Sequence, residues 1–139
     1  MIKGFEQISL KPGFMKHNGG ILFKNISESE YQFKTIITAN HLNAAGITHG
    51  GFIAAFVDAG AGTAAHRSTS NSPCVTISLE LKFISAVKLD QELIGNTKIQ
   101  KKTRTMVFLT TELIAENKIV ATASGVWKIL RLTGAGPGG

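Results

Sequence analysis

One segment limits what this chain can build. Residues 51–67, GFIAAFVDAGAGTAAHR, are helix-length, and their apolar side chains recur on every side rather than along one stripe. A helix of that kind must be buried, so the rest of the chain has to supply its cover. That remainder is rich in β pattern. Residues 74–84 form the clearest strand. Simple alternation puts Val75, Ile77, Leu79, Leu81 and Phe83 on one face, and Thr76, Ser78, Glu80 and Lys82 on the other. Residues 92–101, 105–115 and 118–130 read as further strands, with a tight hairpin at 116–117. Upstream, 21–25 and 30–39 read as a hairpin turning at 27–29, after a turn-rich start with room for a short helix at 14–17. Residues 40–49 carry few periodic signals and read as a loop. The order strand, strand, buried helix, then three or four strands predicts an α+β fold. Its curved antiparallel sheet of five to six strands wraps one long buried helix.

The 139 residues suit a single domain over 1–132, with an N-terminal arm at 1–13 and a Gly-rich flexible tail at 133–139. No run reaches the ~18 apolar residues that cross a bilayer, and the first residues lack the apolar stretch of a signal peptide. The single cysteine, Cys74, cannot close an internal disulfide, so a cytoplasmic setting is expected. The net charge of +6 is spread out, apart from a cluster at Lys101, Lys102 and Arg104, and aromatics make up only 7%. Nucleic acid and membrane partners are therefore not expected.

Asn43, His49, Gly50, Gly51 and Asp58 fall within sixteen residues. The loop ends in His-Gly-Gly just where the helix begins. A helix N-terminus presents unpaired N–H groups, and glycines let a ligand approach the backbone. This is the pattern of an oxyanion hole. Asp58 stands among Phe52, Ile53, Phe56 and Val57, where burying a carboxylate is costly; a buried acid there would suit general-base chemistry. Eight residues along one helix separate Gly50 from Asp58 by ~12 Å, too far to serve one carbonyl. If both are catalytic, Asp58 has to come from a second copy of the chain related by a twofold axis. Gly60 and Gly62 each cost ~1 kcal/mol against Ala within a helix. Together with Ala61 and Ala64 they would let a second helix come close.

The segment NAAGITHGGFIAAFVDAG, followed by SPCVTISLELKFISAVKLDQELIG and KKTRTMVFLTTELIAENKIVATASGVWK, resembles the PaaI-like acyl-CoA thioesterases of the hotdog superfamily over roughly residues 14–130. The specific part is Asn-x-x-Gly-x-x-His-Gly-Gly with Asp seven residues later. The resemblance implies that the Gly50 amide polarises a thioester carbonyl with help from Asn43, and that His49 shapes the loop. It implies that Asp58 of the neighbouring subunit activates water or attacks directly. Thr76, eighteen residues after Asp58 and on the polar face of its strand, would hold the water or the carboxylate. Gly51, Lys102 and Arg104 would bind substrate, the two cations meeting coenzyme A phosphates. The resemblance also implies a homodimer, commonly a dimer of dimers. No cofactor is expected beyond the coenzyme A of the substrate, and nothing in the sequence demands a metal, since the spacing of His49 to His17, His41 and His66 does not make a metal site.

Blander readings stand beside these. Asn43 suits a turn, His49 a structural loop position, Thr76 an ordinary strand, and residues 101–104 a solvated turn. Two other functions compete with hydrolysis. A 3-hydroxyacyl thioester dehydratase of the same fold pairs His with Glu or Asp at a spacing that His49 and Asp58 do not match. A non-catalytic acyl-CoA or lipid-binding hotdog protein serves as a sensor when fused to a DNA-binding segment, and only about 13 residues precede the matching region here.

Overall fold

A computed structural model describes residues 4–130; the tail at 133–139 lies outside them. The elements run β1 (Glu6–Ile8), α1 (Phe14–His17), β2 (Ile21–Asn25), β3 (Glu30–Ile36), a 3₁₀ turn (Ala39–His41), α2 (Gly50–Ser68), β4 (Cys74–Phe83), β5 (Glu92–Lys102), β6 (Met106–Ala115) and β7 (Lys118–Ile129). They form one seven-stranded antiparallel sheet in the order β1-β2-β3-β5-β6-β7-β4. The strand beyond the expected six is β1, which pairs with β2 through Glu6–Phe23, Gln7–Leu22 and Ile8–Ile21. Three residues are too short for alternation to be seen, so this part of the arm shows only in the sheet.

The helix-facing side chains of the sheet make the core with α2. Trp127, Phe23, Phe33, Phe56, Leu93, Leu109 and Leu113 are all 2% exposed or less. Each such side chain contributes about 1.5–3 kcal/mol of burial. Gly60 sits directly against the Phe33 ring, and Gly95 of β5 packs on the same ring from the sheet side. The helix small residues therefore serve the sheet first. Gly60, Ala61 and Ala64 are buried within the protomer, which corrects their expected use as a seat for a second helix. The open side of α2 instead carries Ala54, Ala55, Asp58, Ala59, Gly62, Thr63 and His66. Their spacing is a helical stripe, and the sheet covers the helix from the opposite side only.

The β6–β7 hairpin turns on Glu116 and Asn117 at φ 51° and 61°, the two left-handed residues that a tight antiparallel turn requires. One connection leaves an edge of the sheet open beside the helix. The chain passes from the end of α2 to that far edge, where β4 pairs with β7. Among the described residues, no strand pairs with the outer edge of β4. Val75 and Ile77 on that strand are 45% and 52% exposed, and Phe83 at its end is 56% exposed.

Candidate active site

The first turn of α2 is built by its cap. His49 is the N-cap, and its Nδ1 accepts the Gly51 amide at 2.7 Å. Its carbonyl takes the amides of Phe52 and Ile53 at 3.0 and 3.2 Å. A backbone N–H can only donate, so Nδ1 carries the lone pair and His49 stands as the neutral Nε2–H tautomer. Of the first amides of the helix, Gly50 is left with no acceptor among the described residues. Gly51, expected among the substrate-binding residues, has its amide committed to His49. The free donor on this turn is Gly50.

Asn43 holds the loop that leads there. Its Oδ1 accepts from Ala45 and Ile47 amides at 2.9 and 3.3 Å, and its own amide donates to the Ile47 carbonyl at 2.8 Å. The oxygen thus serves the turn, and the amide nitrogen Nδ2 is the part of Asn43 open to a ligand. Gly46, at φ 80°, closes the same turn. Asn43, Gly50, Ile53, Phe83 and Val87 line a hollow of ≈ 290 Å³. The Phe83 ring covers Gly50 so closely that a Cβ there would stand 3.4 Å from Cζ. Nothing in the alternation of residues 74–84 signals this placement.

Asp58 belongs to a different hollow, of ≈ 510 Å³, shared with Ala59, Gly62, Thr63, His66, Cys74, Thr76 and Trp127. It is exposed, which corrects the expectation of a carboxylate buried in the protomer core. The apolar neighbours Phe52, Ile53, Phe56 and Val57 point to the sheet, while Asp58 points to the open stripe. The Thr76 hydroxyl donates to Asp58 Oδ1 at 2.6 Å. Oδ2 has no protein partner among the described residues.

Thr76 reaches Asp58 because the strand is irregular. The pairing of β4 with β7 shifts register between Thr76 and Ser78, so Ile77 is an inserted residue. One extra residue flips every side chain beyond it to the other face. Thr76 therefore shares the helix-facing side with Leu79 and Leu81, not the polar face with Ser78, Glu80 and Lys82. Alternation alone misplaces it by that one residue. Burial pushes the thiol pKa of Cys74 in the same hollow upward, opposed by its hydrogen bond with Thr69. A thiol so placed is a poor nucleophile.

The cations lie elsewhere. Lys102 Nζ donates to the Ser68 carbonyl at 2.6 Å, at the far end of α2. It lines a polar basin of ≈ 660 Å³ with Arg67, Ser70 and Asn71. Ser68 is ten residues beyond Asp58, ~15 Å along the axis. Arg104 sits exposed in the β5–β6 turn. Among the described residues, no group of three His, Cys, Asp or Glu could hold a metal ion, and no helix is long and apolar enough to cross a membrane.

Comparison with known proteins agrees with this architecture. The pattern of the family described as Thioesterase superfamily matches residues 45–122. A protein of Pseudomonas aeruginosa PAO1, named as a putative esterase, is 32% identical over 128 residues, 91% of this chain and 96% of its own. In three dimensions the chain is similar to a mutant of the phenylacetic acid degradation protein PaaI from Thermus thermophilus. The TM-score is 0.75 at 23% identity, over 84% of this chain and 98% of that one. It is likewise similar to a hypothetical thioesterase protein from Streptococcus pneumoniae TIGR4 solved with coenzyme A. There the TM-score is 0.73 at 18% identity, over 78% and 84% of the two chains. The fold is the hotdog fold, with a PaaI-like arrangement. The chain belongs to the thioesterase superfamily and is a thioester hydrolase.

Proposed function

We propose that the protein is an acyl-CoA thioesterase that works as a homodimer, each reaction centre combining the Gly50 amide of one subunit with Asp58 of the other. The observation that carries this reading is the separation of the half-sites. The donor and the acid lie on one rigid helix, ~12 Å apart by its rise, and line two different hollows. Two helices related by a twofold axis would bring each N-terminus to the middle of the other. The open stripe of small residues on α2 and the unpaired edge of β4, with Val75 and Ile77 exposed, are the surfaces that such an axis would use. Acyl-CoA as substrate is supported by the family and by the coenzyme A named with the Streptococcus neighbour.

In this reading the thioester oxygen accepts from the Gly50 amide, assisted by the Nδ2 group of Asn43. Charge that builds on that oxygen as the carbonyl is attacked meets a donor already in place. Asp58 acts in its ionised form. As a base it takes a proton from water while the water oxygen bonds to the carbonyl carbon. As a nucleophile it bonds to that carbon itself, and water then cleaves the mixed anhydride. Both routes break the C–S bond, and the water consumed supplies the hydroxyl of the free acid and the proton that the leaving thiolate takes up to give coenzyme A. The Thr76 hydroxyl fixes the carboxylate rotamer and leaves Oδ2 to do the chemistry. The nucleotide end of the substrate would meet Lys102 in the polar basin at the far end of α2, where Arg67 is already paired with Glu6. The protein is cytoplasmic in this reading, with a dimer of dimers as its assembled form.

The test is a thiol-release screen across short, medium, long and aryl acyl-CoAs, with Asp58→Ala as the control. Turnover by the parent and about 10³-fold less by the variant is expected. Equal rates in the two proteins remove Asp58 from the chemistry.

A further inference from the structure

His41 is a buried titratable side chain that the proposed reaction does not use. It is 2% exposed and stands two residues before Asn43. Its ring joins three parts of the chain. The Thr38 amide donates to Nδ1 at 3.0 Å. Nε2 lies 2.6 Å from the Asn18 carbonyl oxygen, just past α1. The imidazole stacks on Phe52 of the first turn of α2, with centroids 3.8 Å apart and planes 15° apart. Its main chain adds a fourth tie, because the His41 carbonyl accepts the His49 amide at 2.8 Å.

These partners define the ring. The Thr38 amide can only donate and the Asn18 carbonyl can only accept, so Nδ1 is bare and Nε2 carries the proton. The uncharged tautomer satisfies both nitrogens at once. The loop after it is closed on itself by the Leu42–Thr48 bridge and by the Asn43–Ile47 bond. It is anchored to the body of the protein on one flank, where Thr48 donates to the Val87 carbonyl through both its amide and its hydroxyl, at 2.8 and 2.7 Å. His41 anchors the other flank.

We propose that His41 is the positioning residue of the donor half-site: its neutral imidazole clamps the end of α1, the 3₁₀ turn and the first turn of α2, and so holds the Gly50 amide and Asn43 at their working positions. The inference rests on the reading of Gly50 as the donor to the thioester oxygen. A donor displaced by about 1 Å loses about 100-fold in rate without losing the rest of the substrate contacts. His41 therefore governs kcat and leaves KM alone.

Three variants test this. His41→Phe keeps a ring against Phe52 and removes both ring hydrogen bonds. His41→Asn keeps an acceptor near the Nδ1 position. Leu113→Ala empties a fully buried site on β6 and serves as the stability control. At a temperature where all are folded, His41→Phe is expected to lower kcat about 10- to 100-fold with KM within about twofold, and His41→Asn to recover part of the loss. Leu113→Ala should lower Tm at least as far while kcat stays within about twofold. Parent-like kcat in His41→Phe, or an equal loss in Leu113→Ala, overturns the assignment. Amide hydrogen exchange over residues 42–51 reads the same clamp without any substrate. His41→Phe should speed it about 10-fold or more, and unchanged exchange overturns the proposal. Should the parent protein cleave no acyl-CoA at all, the thioesterase reading fails separately, and the exchange result still decides the clamp.

Discussion

The two ends of the catalytic stretch of α2 are made of different material. At its first turn the useful group is a backbone amide, and the side chains around it are scaffolding. His49 caps, Asn43 folds its own loop, and Phe83 covers Gly50. Two turns further on, the useful group is a side chain, held by another side chain from β4 across an open hollow. The difference teaches how each end should fail. A backbone site suffers from added atoms and from lost caps. A side-chain site suffers from lost atoms.

The largest effect is expected at the acid end. Asp58→Ala should lower kcat by about 10³-fold, within the range that general-base groups supply. Its Tm should stay within a few degrees, roughly the shift that a surface substitution gives, because the carboxylate is exposed and forms no ion pair among the described residues. The same variant tests the two-subunit arrangement. Mixed and reassociated with a donor-end variant, it should regain about a quarter of parental activity, since statistical pairing gives half mixed dimers with one intact centre each. No recovery on mixing would place both groups of a centre in one subunit.

At the donor end the instructive change adds one carbon. A Cβ at residue 51 would stand 2.8 Å from His49 Nδ1, so the imidazole must swing away and abandon the cap. Gly51→Ala should lose about 0.5–2 kcal/mol of stability through the cap. It should also lose about 10- to 100-fold in kcat as the Gly50 amide loosens. Urea unfolding and steady-state kinetics check the two parts. A stable variant with parental kcat would mean that the cap does not position Gly50.

Between these lies Thr76. Thr76→Val keeps the shape of the side chain and removes the donor to Asp58, so kcat should fall about 10-fold. Thr76→Ser keeps the hydroxyl and should stay within about threefold of the parent. A Ser variant as impaired as the Val variant would assign the role to the methyl group, and with it to packing.

The two ends are unequally legible in the chain. The His-Gly-Gly entry to the helix and the spacing of Asp58 are plain there, because glycine and a cap residue are local signals. The helix, the hairpin at Glu116 and Asn117, and the long strands follow from period and turn chemistry. Three features do not. Alternation has no way to show an inserted residue, so it puts Thr76 on the polar face, whereas the bulge at Ile77 leaves Thr76 on the side of the helix. All-round hydrophobicity cannot separate a side packed on a sheet from a side of small residues left open, so Asp58 reads as buried. His41 reads as one of four scattered histidines, since its partners Asn18 and Phe52 lie on other elements and only the fold brings them together.

The smallest effect distinguishes the two groups at the acid end that could in principle attack a thioester. Asp58 and Cys74 line the same hollow. Burial holds the Cys74 thiol pKa above its ordinary value, with the Thr69 hydrogen bond acting the other way. A raised pKa means less thiolate at any given pH, and the thiolate is the reactive form. Alkylation by iodoacetamide at pH 8 should therefore run slower than for a free cysteine, with its pH–rate curve displaced to higher pH. Cys74→Ser should turn over acyl-CoA within about twofold of the parent. Fast alkylation together with an inactive Cys74→Ser protein would move the nucleophile from the carboxylate to the thiol and leave the Thr76–Asp58 pair as its support.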